Sequence, residues 1–425
     1  MFMLLKKLST SRIIALGFAI AILTGSILLM LPCSVRPGVH LEYIDSLYTS
    51  TSAVCVTGLV SVDAKDTFTP LGQFFLAMLI QIGGLGVTAI GAGIIIAMGK
   101  KVNMKGRSLI RDALNVDSGK GMIIFIRDIF MTTVFFELVG AMLSYIVFSK
   151  DYPPVEALGI SLFHSIAAFN NSGFDILGNY RSLTGYYDNF TLNIITCVLI
   201  FFGGIGFLVI RELRIKHFHW KKLSMHSRVV ISMSLFLIVS GTLLIKATEN
   251  ISWLGAFFLS FSTYPLGNFS SAGLLVVIIL MFIGASPGST GGGIKTSTFF
   301  VLLQGIKSAA TNKSEKAFHY AVPKNAFSKA AIITAIGAAI VLTGTYIMLV
   351  LQPELSFIDV FFEVTSAFST SGLSTGITQQ LGMGAKLLSI IIMYAGRLGP
   401  LTIVTVWYFS KGERVSYPEG NISVG

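Results

Sequence analysis

Charged residues are scarce in this chain and account for 12% of its 425 residues, about half of the roughly 25% that is usual in soluble domains. Cysteine is scarcer still: Cys33, Cys55 and Cys197 are odd in number and lie in or beside apolar stretches. They therefore indicate neither a disulfide framework nor a zinc site. Apolar residues reach 53%, and the mean hydropathy is +0.77. This composition excludes an ordinary soluble domain and is typical of a multi-pass membrane protein.

Eight apolar runs are long enough to cross a bilayer, which takes about 20 residues. The fifth run is short, and the sixth is interrupted by glycines. The first run follows Lys6 and Lys7, as in a signal peptide. It is too long for one and no small-residue cleavage site follows it, so we expect it to be retained. The runs lie near residues 12–34, 74–98, 122–148, 191–210, 229–245, 274–303, 330–351 and 387–409.

The charges between these runs are distributed unevenly. The N-terminus, the C-terminus and the loops near 99–128, 211–228 and 305–329 together hold 23 Lys or Arg and 7 Asp or Glu, whereas the other loops hold 6 and 12. Because basic loops stay in the cytoplasm, we predict a multi-pass protein of the cell inner membrane with both termini cytoplasmic. The net charge of +11 reflects this topology. It is spread over five segments and does not indicate nucleic-acid binding, whereas the acidic outer face would attract cations.

Three short segments of the chain resemble one another: Val54–Leu59, Phe169–Phe174 and Phe368–Leu373. Each has a small polar residue, then glycine, then a bulky apolar residue. A re-entrant loop of this kind can turn its carbonyls toward an axis, where they replace the water around a cation. Glycine permits the backbone angles that this requires. The pattern predicts a filter made of Val56, Thr57, Gly58, Asn171, Ser172, Gly173, Thr370, Ser371 and Gly372.

The same arrangement of span, loop and span divides the chain into four units, at residues 1–110, 111–225, 226–315 and 316–425. Each unit has an amphipathic segment too short to cross the membrane, at Tyr43–Ala53, Ala157–Phe169, Trp253–Ser262 and Phe357–Phe368. A helix entering halfway from outside would point its partly negative C-terminal end at a cation on the axis. We predict an all-α integral membrane fold with four span–pore-loop–span repeats. Eight transmembrane helices and four re-entrant pore helices would surround one central pore per chain.

A second repeat lies in the second spans, at Ile82–Gly86, Phe202–Gly206 and Ala395–Gly399. In the first two, the glycines are best explained by close helix packing. In the third, Arg397 stands where the others have glycine. A charge within an apolar run usually faces a cavity or a partner, so we predict a functional role for Arg397.

The sixth apolar run is broken by Gly284–Lys295, which has five glycines and one proline in twelve residues. Such a segment cannot form a stable helix. An ordinary cytoplasmic loop is the alternative, but the apolar residues 297–303 argue against it. We predict a movable loop that gates the pore, formed by Gly288, Gly291, Gly292, Gly293 and Lys295 together with Arg397.

At these residues the chain resembles the Trk/Ktr/HKT superfamily of potassium transporters, most closely the membrane subunit of bacterial Ktr systems. The likeness covers essentially the whole chain. It is carried by Ala53–Leu59, Ser165–Phe174, Ser366–Leu373, the Gly-Gly-x-Gly segments, Phe282–Lys295, Gly396–Pro400 and the ending Tyr417–Gly420.

The resemblance implies four units around one pore, with one filter glycine per unit coordinating K⁺. It also implies a gate at the broken helix, with Arg397 narrowing the path beneath the filter. The expected assembly is a homodimer on a cytoplasmic ring of nucleotide-binding, KtrA-like regulatory subunits, so that nucleotide binds the partner only. Uptake stimulated by Na⁺ is a further expectation. The regulatory ring would dock on four basic loop residues, Lys105, Arg107, Arg111 and Lys120. Contact with anionic membrane lipid is the alternative explanation for these residues.

The third loop departs from this family pattern. The family carries Thr-x-Gly-aromatic there, and Ser260–Ser270 has no such motif. The loop is also short, with about 10 residues between the pore helix and the next span, against about 18, 22 and 18 in the other units. Either the third filter is degenerate, or about 8–10 residues are absent after Thr263.

Two other classes of protein fit parts of the sequence. An intramembrane serine protease is suggested by Gly284–Gly288, but its chemistry needs a histidine within reach of the serine. Of the six histidines only His164 is near membrane depth, in a helix entering from the other side. An inverted-repeat transporter of a small solute would show units of opposite orientation, whereas these units repeat in one orientation. We therefore predict ion transport and no enzyme activity.

Overall fold

The computed structural model describes residues 9–97, 122–260, 269–323, 325–400 and 402–403, and these are predominantly helical. In chain order the α-helices are α1 (Thr10–Met30), α2 (Tyr43–Cys55), α3 (Ala64–Thr67), α4 (Pro70–Leu85), α5 (Val87–Ala97), α6 (Met122–Phe148), α7 (Pro154–Phe169), α8 (Phe190–Gly204), α9 (Phe207–Ile215), α10 (Met225–Thr248), α11 (Trp253–Leu259), α12 (Ser271–Phe282), α13 (Thr296–Thr311), α14 (Ala326–Leu351), α15 (Phe357–Ser369) and α16 (Met383–Leu398). Short 3₁₀ turns lie at Ser182–Tyr186, Trp220–Lys222 and Thr378–Gln380, and the strands of the described part are β1 (Lys316–Ala317) and β2 (Tyr320–Ala321).

Many of these helices begin at a residue whose side chain can accept a hydrogen bond from the first turn. Such a cap satisfies one of the free backbone N–H groups at a helix start. It fixes where the chain stops running along the surface and enters the helix. The capping residues are Ser9, Asp63, Thr69, Asn189, Ser224, Ser252, Ser270 and Ser356.

Four helices of the described part, α1, α6, α10 and α14, are long and apolar enough to cross a membrane. The pair α8 and α9 makes a fifth span if it is counted as one, although it bends by 96°. Only 28% of each of the four long windows is buried inside the molecule, which leaves a wide apolar surface for lipid. The chain is therefore a multi-pass membrane protein.

The short helices α2, α7 and α15 have a different environment: α7 and α15 begin at the surface, and the C-terminal part of each of the three helices is buried inside the molecule. Eleven of the thirteen residues of α2 are buried, although many of them are serine or threonine. Their hydroxyls are satisfied by the neighbouring long helix: Ser50 Oγ donates to Ile22 O of α1 at 2.7 Å. In the second unit, Ser165 Oγ likewise donates to Glu137 O of α6 at 2.7 Å. Buried polar residues thus attach α2 to α1 and α7 to α6.

In the first and second units the second helix is divided into α4 and α5 and into α8 and α9, where the sequence predicts a continuous span, and in the fourth unit α16 ends at the equivalent position. The division follows the last glycine of the repeated motif, which adopts φ 83° at Gly86, 92° at Gly206 and 84° at Gly399. Only glycine adopts this conformation without strain. In the third unit the gap is longer and runs from Ile283 to Lys295, between α12 and α13.

The last unit of the chain packs against the first. Lys386 of α16 forms an ion pair with Asp45 of α2 at 2.6 Å, and Tyr48 OH lies 3.2 Å from Ser389 Oγ. The first unit in turn contacts the second, where Lys65 Nζ lies 2.8 Å from Glu156 Oε1. These contacts join residues far apart in sequence and bring the loops after α2, α7 and α15 into one place.

Candidate functional site

The three predicted glycine loops leave their helices with the same backbone conformation. Each helix is followed by a non-glycine residue in the left-handed region, with φ 57° at Val56, 58° at Asn171 and 53° at Thr370. The next amide donates back across the helix end, as in a Schellman motif. These bonds run from Thr57 N to Ser52 O (2.7 Å), Ser172 N to Ala167 O (2.9 Å) and Ser371 N to Ser366 O (3.1 Å).

A branched side chain in the left-handed region is strained. The cost is of order 1–3 kcal/mol for each such residue, and Val56 and Thr370 are both β-branched. Strained backbone persists only where the surrounding structure over-determines it, and it clusters at functional sites. The shared geometry is thus imposed by packing around the loops and does not follow from local preference.

The glycines of these loops meet at one point. An added β-carbon at Gly58 would lie 2.0 Å from Ser172 O, and one at Gly372 would lie 2.2 Å from Thr57 O. A β-carbon added at Gly173 would have the Cα of Gly58 as its nearest neighbour, at 3.5 Å. All three glycines also have positive φ, at 87°, 71° and 79° in chain order. Two backbone carbonyls therefore lie where three loops converge, and no side chain fits between them.

Two hydroxyls at this point are buried without a hydrogen-bond partner among the described residues: Thr57 Oγ1 and Ser172 Oγ. They occupy the same position in their loops. The equivalent Ser371 Oγ lies 3.2 Å from Ser366 Oγ. A buried polar group without a partner calls for an explanation, and a polar or charged ligand between the loops would supply one. The helix ends nearby are the partly negative ends, which also favours a cation.

The first glycine of each repeated motif in the second helices lies against the end of a short helix. A β-carbon added at this glycine would overlap a backbone carbonyl oxygen of the short helix. In each unit that oxygen belongs to the residue two positions before the one with left-handed backbone. The three distances are 2.2 Å from Gly83 to Val54 O, 1.8 Å from Gly203 to Phe169 O and 1.9 Å from Gly396 to Phe368 O. This agrees with the predicted packing role of small residues, and it identifies their partner as the short helix that carries the loop.

Acidic residues hold the loops on the predicted outer side. Asp63 Oδ2 accepts from Tyr180 N at 2.7 Å, and Asp66 Oδ2 accepts from Asn179 N at 2.8 Å. Burial, with a smaller contribution from the nearby Asp63 charge, raises the pKa of Asp175 to about 6. Asp63 and Asp175 both line the cavity that leads to the glycine loops.

The loop at 283–295, called the α12–α13 loop below, contacts two of the three glycine loops. Thr290 is fully buried, and its Oγ1 accepts a hydrogen bond from Asn171 Nδ2 at 2.7 Å. On the other side, Gly292 N donates to Thr370 Oγ1 at 2.9 Å. Asn171 and Thr370 are the left-handed residues of the second and fourth units. The α12–α13 loop also bonds to the motif of α8, where Thr290 N donates to Gly203 O at 3.2 Å.

Both basic residues predicted for the gate bind backbone carbonyls. Arg397 donates to Thr290 O of the α12–α13 loop and to Gly83 O of the first unit. Lys295 Nζ donates to Gly291 O at 2.7 Å, within its own loop. Arg397 thus links the fourth unit to the first and third, whereas Lys295 holds the local shape of the loop.

One cavity of about 610 Å³ connects these parts. Its lining includes the outer Asp63, the three loop glycines, the ends of α7 and α11 and the α12–α13 loop. The structure therefore brings together the predicted filter and gate residues. The segment 261–268, predicted to hold the third loop, lies outside the described residues, as do Lys105, Arg107, Arg111 and Lys120.

The serine of the protease alternative pairs with a threonine. Ser286 Oγ lies 3.0 Å from Thr296 Oγ1, and both residues are buried. A threonine hydroxyl is no general base at neutral pH, so this pair lacks the partner that serine chemistry needs.

Sequence reasoning missed two residues of the site. Thr290 joins the α12–α13 loop to α7 and α8, but in the sequence it is one small polar residue among glycines. Glu363 is a fully buried carboxyl on α15, and in the sequence it counts only among the acidic residues of the outer side. Thr290 bonds to Asn171, 119 positions away, and Glu363 bonds across the loop to Ser374 and Thr378, 11 and 15 positions away, so no pattern of neighbouring residues could have identified them.

Apolar helices around buried short helices, with carbonyl-lined loops in a cavity, define this chain as a membrane transport protein. The family model described as TrkH, cation transport protein, matches residues 14–245 and 250–412. The chain belongs to this cation transport protein family, which confirms the resemblance seen in the sequence.

Relatives of similar length support the assignment. The Ktr system potassium uptake protein B of Bacillus subtilis is 32% identical over 439 aligned positions, covering 99% of this chain and 97% of that protein. The potassium/sodium uptake protein NtpJ of Enterococcus hirae is 34% identical and covers 99% and 98%. The crystal structure of the potassium transporter TrkH from Vibrio parahaemolyticus has the same fold. Its TM-score is 0.71 at 18% identity, covering 94% of this chain and 85% of that chain.

Proposed function

We propose that this protein is the ion-translocating membrane subunit of a potassium uptake system. The observation that carries the proposal is the convergence of three glycine loops with one shared backbone conformation. Rings of carbonyls at such a point can replace the hydration shell of K⁺. The names of its relatives from Bacillus subtilis and Enterococcus hirae support K⁺ as the transported ion.

The filter in this proposal consists of the nine predicted residues, and K⁺ binds their backbone carbonyls. Four units, at 1–110, 111–225, 226–315 and 316–425, surround one pore. The contacts between the fourth and first units and between the first and second support this arrangement. Eight divided or continuous spans and four re-entrant helices make up the four units.

The α12–α13 loop is the gate. It lies against the filter loops, contains Gly288, Gly291, Gly292 and Gly293, and is held by Arg397 and Lys295. Glycine lowers the cost of moving backbone between two arrangements, and opening would exchange the bonds of Thr290 for contacts with water. The positive groups of Arg397 and Lys295 add an electrostatic barrier in a poorly hydrated passage.

The third unit contributes a shortened or degenerate filter loop. The alignment with the Bacillus subtilis relative has 439 positions, more than the 425 residues of the chain. The alignment therefore contains gaps opposite this chain. The proposal that residues are absent after Thr263 is supported by the short third loop, which has about 10 residues against about 18, 22 and 18 in the other units. Restoring the family's Thr-x-Gly-aromatic segment there should raise the selectivity for K⁺.

The subunit acts in the cell inner membrane as a homodimer, with both termini in the cytoplasm. A KtrA-like nucleotide-binding ring controls the gate from the cytoplasmic side. Na⁺ stimulates uptake. Lys105, Arg107, Arg111 and Lys120 dock the ring, with anionic lipid as the competing partner. Neutralising all four residues should abolish co-purification of the ring, and its unchanged co-purification would contradict this assignment.

The experiment that tests the transport function is Rb⁺ uptake in cells that lack their own K⁺ uptake systems. Expression of this chain with its regulatory ring should restore growth on low K⁺ and uptake of Rb⁺ that K⁺ inhibits. A panel of other ions and small solutes serves as the comparison. Uptake of a neutral or anionic solute without K⁺ or Rb⁺ uptake would favour the inverted-repeat transporter and overturn the proposal.

A further inference from the structure

A buried carboxyl lies directly behind the fourth filter loop. Glu363 is on α15, seven residues before Thr370, and its side chain is fully shielded from solvent. Removing a charge from water is costly unless hydrogen bonds or a counter-ion compensate. The ion pairs of the described residues do not include Glu363. Its environment must therefore satisfy the carboxyl through hydrogen bonds.

The hydrogen bonds come from the segment just after the filter glycine. Ser374 Oγ donates to Glu363 Oε2 at 2.7 Å, and Thr378 Oγ1 donates to Oε1 at 2.5 Å. The two hydroxyls also lie 3.0 Å from each other. Ser374 Oγ in turn accepts from Gly376 N at 3.0 Å. The carboxyl is thus the centre of a network that fixes the chain from Ser374 to Thr378.

This segment forms part of the cavity wall next to Gly372. Only Leu373 separates Gly372 from Ser374, so a shift of Ser374 is passed directly to the filter carbonyls. The equivalent positions on α2 and α7 hold Thr49 and His164. The His164 ring contacts Thr196 of α8, and Thr49 Oγ1 has no hydrogen-bond partner among the described residues. Neither side chain offers two separate acceptor oxygens, one for each hydroxyl, as the Glu363 carboxylate does.

We propose that Glu363 is a positioning residue that sets the K⁺ over Na⁺ selectivity of the fourth filter loop. It acts through Ser374 and Thr378 and does not touch the ion. The inference rests on the proposed transport function and names a selectivity determinant within it. When the network is intact, the carbonyls near Gly372 stay far enough apart for K⁺. When it is lost, the loop relaxes and its carbonyls can close around the smaller Na⁺.

The test compares variants in cells that take up Rb⁺ through this protein. Glu363→Gln keeps the size but replaces one acceptor oxygen with a donor amide, and Thr378→Val removes a donor at nearly constant volume. Each should lower the Rb⁺ over Na⁺ preference by about tenfold, equivalent to about 1.4 kcal/mol. The double variant should lose little more than either single one, because both remove the same contact. The amount of each protein in the membrane is measured in parallel.

The matched control is Thr365→Val. Thr365 is buried on the same helix, but its hydroxyl bonds to Phe361 O within α15 and leaves the loop untouched. Its ion preference should equal that of the unchanged protein. If Glu363→Gln and Thr378→Val lower only the amount of protein or the maximal rate, with an unchanged ion preference, the inference is wrong. If the unchanged protein takes up neither Rb⁺ nor K⁺, the transport function itself is wrong.

Discussion

The contact between Gly203 and the end of α7 can be tested by adding one methyl group. In Gly203→Ala the new β-carbon would lie 1.8 Å from Phe169 O, whereas ordinary contact distances start near 3.5 Å. The carbonyl must therefore retreat by roughly 1.5 Å. Overpacking of this kind typically costs about 1–3 kcal/mol. Because Phe169 lies two residues before Asn171, the retreat also displaces the second glycine loop, which is part of the proposed filter.

Gly159→Ala is the control for this substitution. Gly159 lies within α7, and an added β-carbon there would meet nothing within 4 Å. Alanine in a helix gains up to about 1 kcal/mol over glycine, so both variants carry a helix-propensity gain of the same sign. The difference between them isolates the overpacking at Phe169. We expect Gly203→Ala to unfold in detergent at a lower temperature than Gly159→Ala at the same heating rate.

Transport gives the second measurement for this pair of variants. Gly203→Ala should lower the preference for Rb⁺ over Na⁺ by at least about tenfold, about 1.4 kcal/mol, while Gly159→Ala should keep it. If Gly203→Ala equals Gly159→Ala in both unfolding temperature and ion preference, the close contact does not support the filter. The explanation of the repeated glycine motif would then be refuted.

Three further outcomes follow from the site. Gly372→Ser would place a β-carbon 2.2 Å from Thr57 O at a residue with φ 79°. The variant should therefore weaken K⁺ affinity or admit Na⁺. Unchanged competition between the two ions would count against a filter there. Arg397→Gln removes the hydrogen bond to Thr290 O. It should therefore raise Rb⁺ flux in the absence of the regulatory ring without changing the ion preference. Low flux without the ring would contradict the proposal that the α12–α13 loop is the gate. The pKa of Asp175 is raised to about 6, so its carboxylate is charged above that pH and protonated below it. Apparent K⁺ affinity should therefore fall as the external pH drops through 6, and Asp175→Asn should remove that step; persistence of the step in the variant would assign it to another group.

The three glycine loops were predictable because their requirement is local. A residue that needs φ near 80° and allows a carbonyl close by must be glycine, and the chain repeats that requirement at Gly58, Gly173 and Gly372. The break between α12 and α13 was predictable for a related reason, since a run of glycines with proline cannot continue a helix. Both features leave a mark in a few consecutive residues.

The divided spans and the contacts behind the loops were not predictable in the same way. Gly86 lies within a continuous apolar run, and hydropathy alone does not distinguish a bent helix from a straight one. The hydrogen bonds of Glu363 and Thr290 join residues from 11 to 121 positions apart. Such pairs depend on how whole helices pack, which a pattern of neighbouring residues does not encode. The bonding of Lys295 to its own loop was missed for the opposite reason, because a lysine at membrane depth suggests a partner elsewhere.

Asn171 and Thr370, the left-handed residues of the second and fourth units, belong to the glycine loops and also contact the α12–α13 loop. Their backbones shape the loops that meet at the glycines, while Asn171 Nδ2 and Thr370 Oγ1 bond to the α12–α13 loop. The proposed filter and the proposed gate therefore have no spacer between them. Linkage then requires reciprocity. If opening of the loop changes the ion affinity by some factor, binding of the ion must change the equilibrium constant for loop opening by the same factor. The occupied filter would act as an effector of its own gate, and the external K⁺ concentration would bias how often the pathway opens.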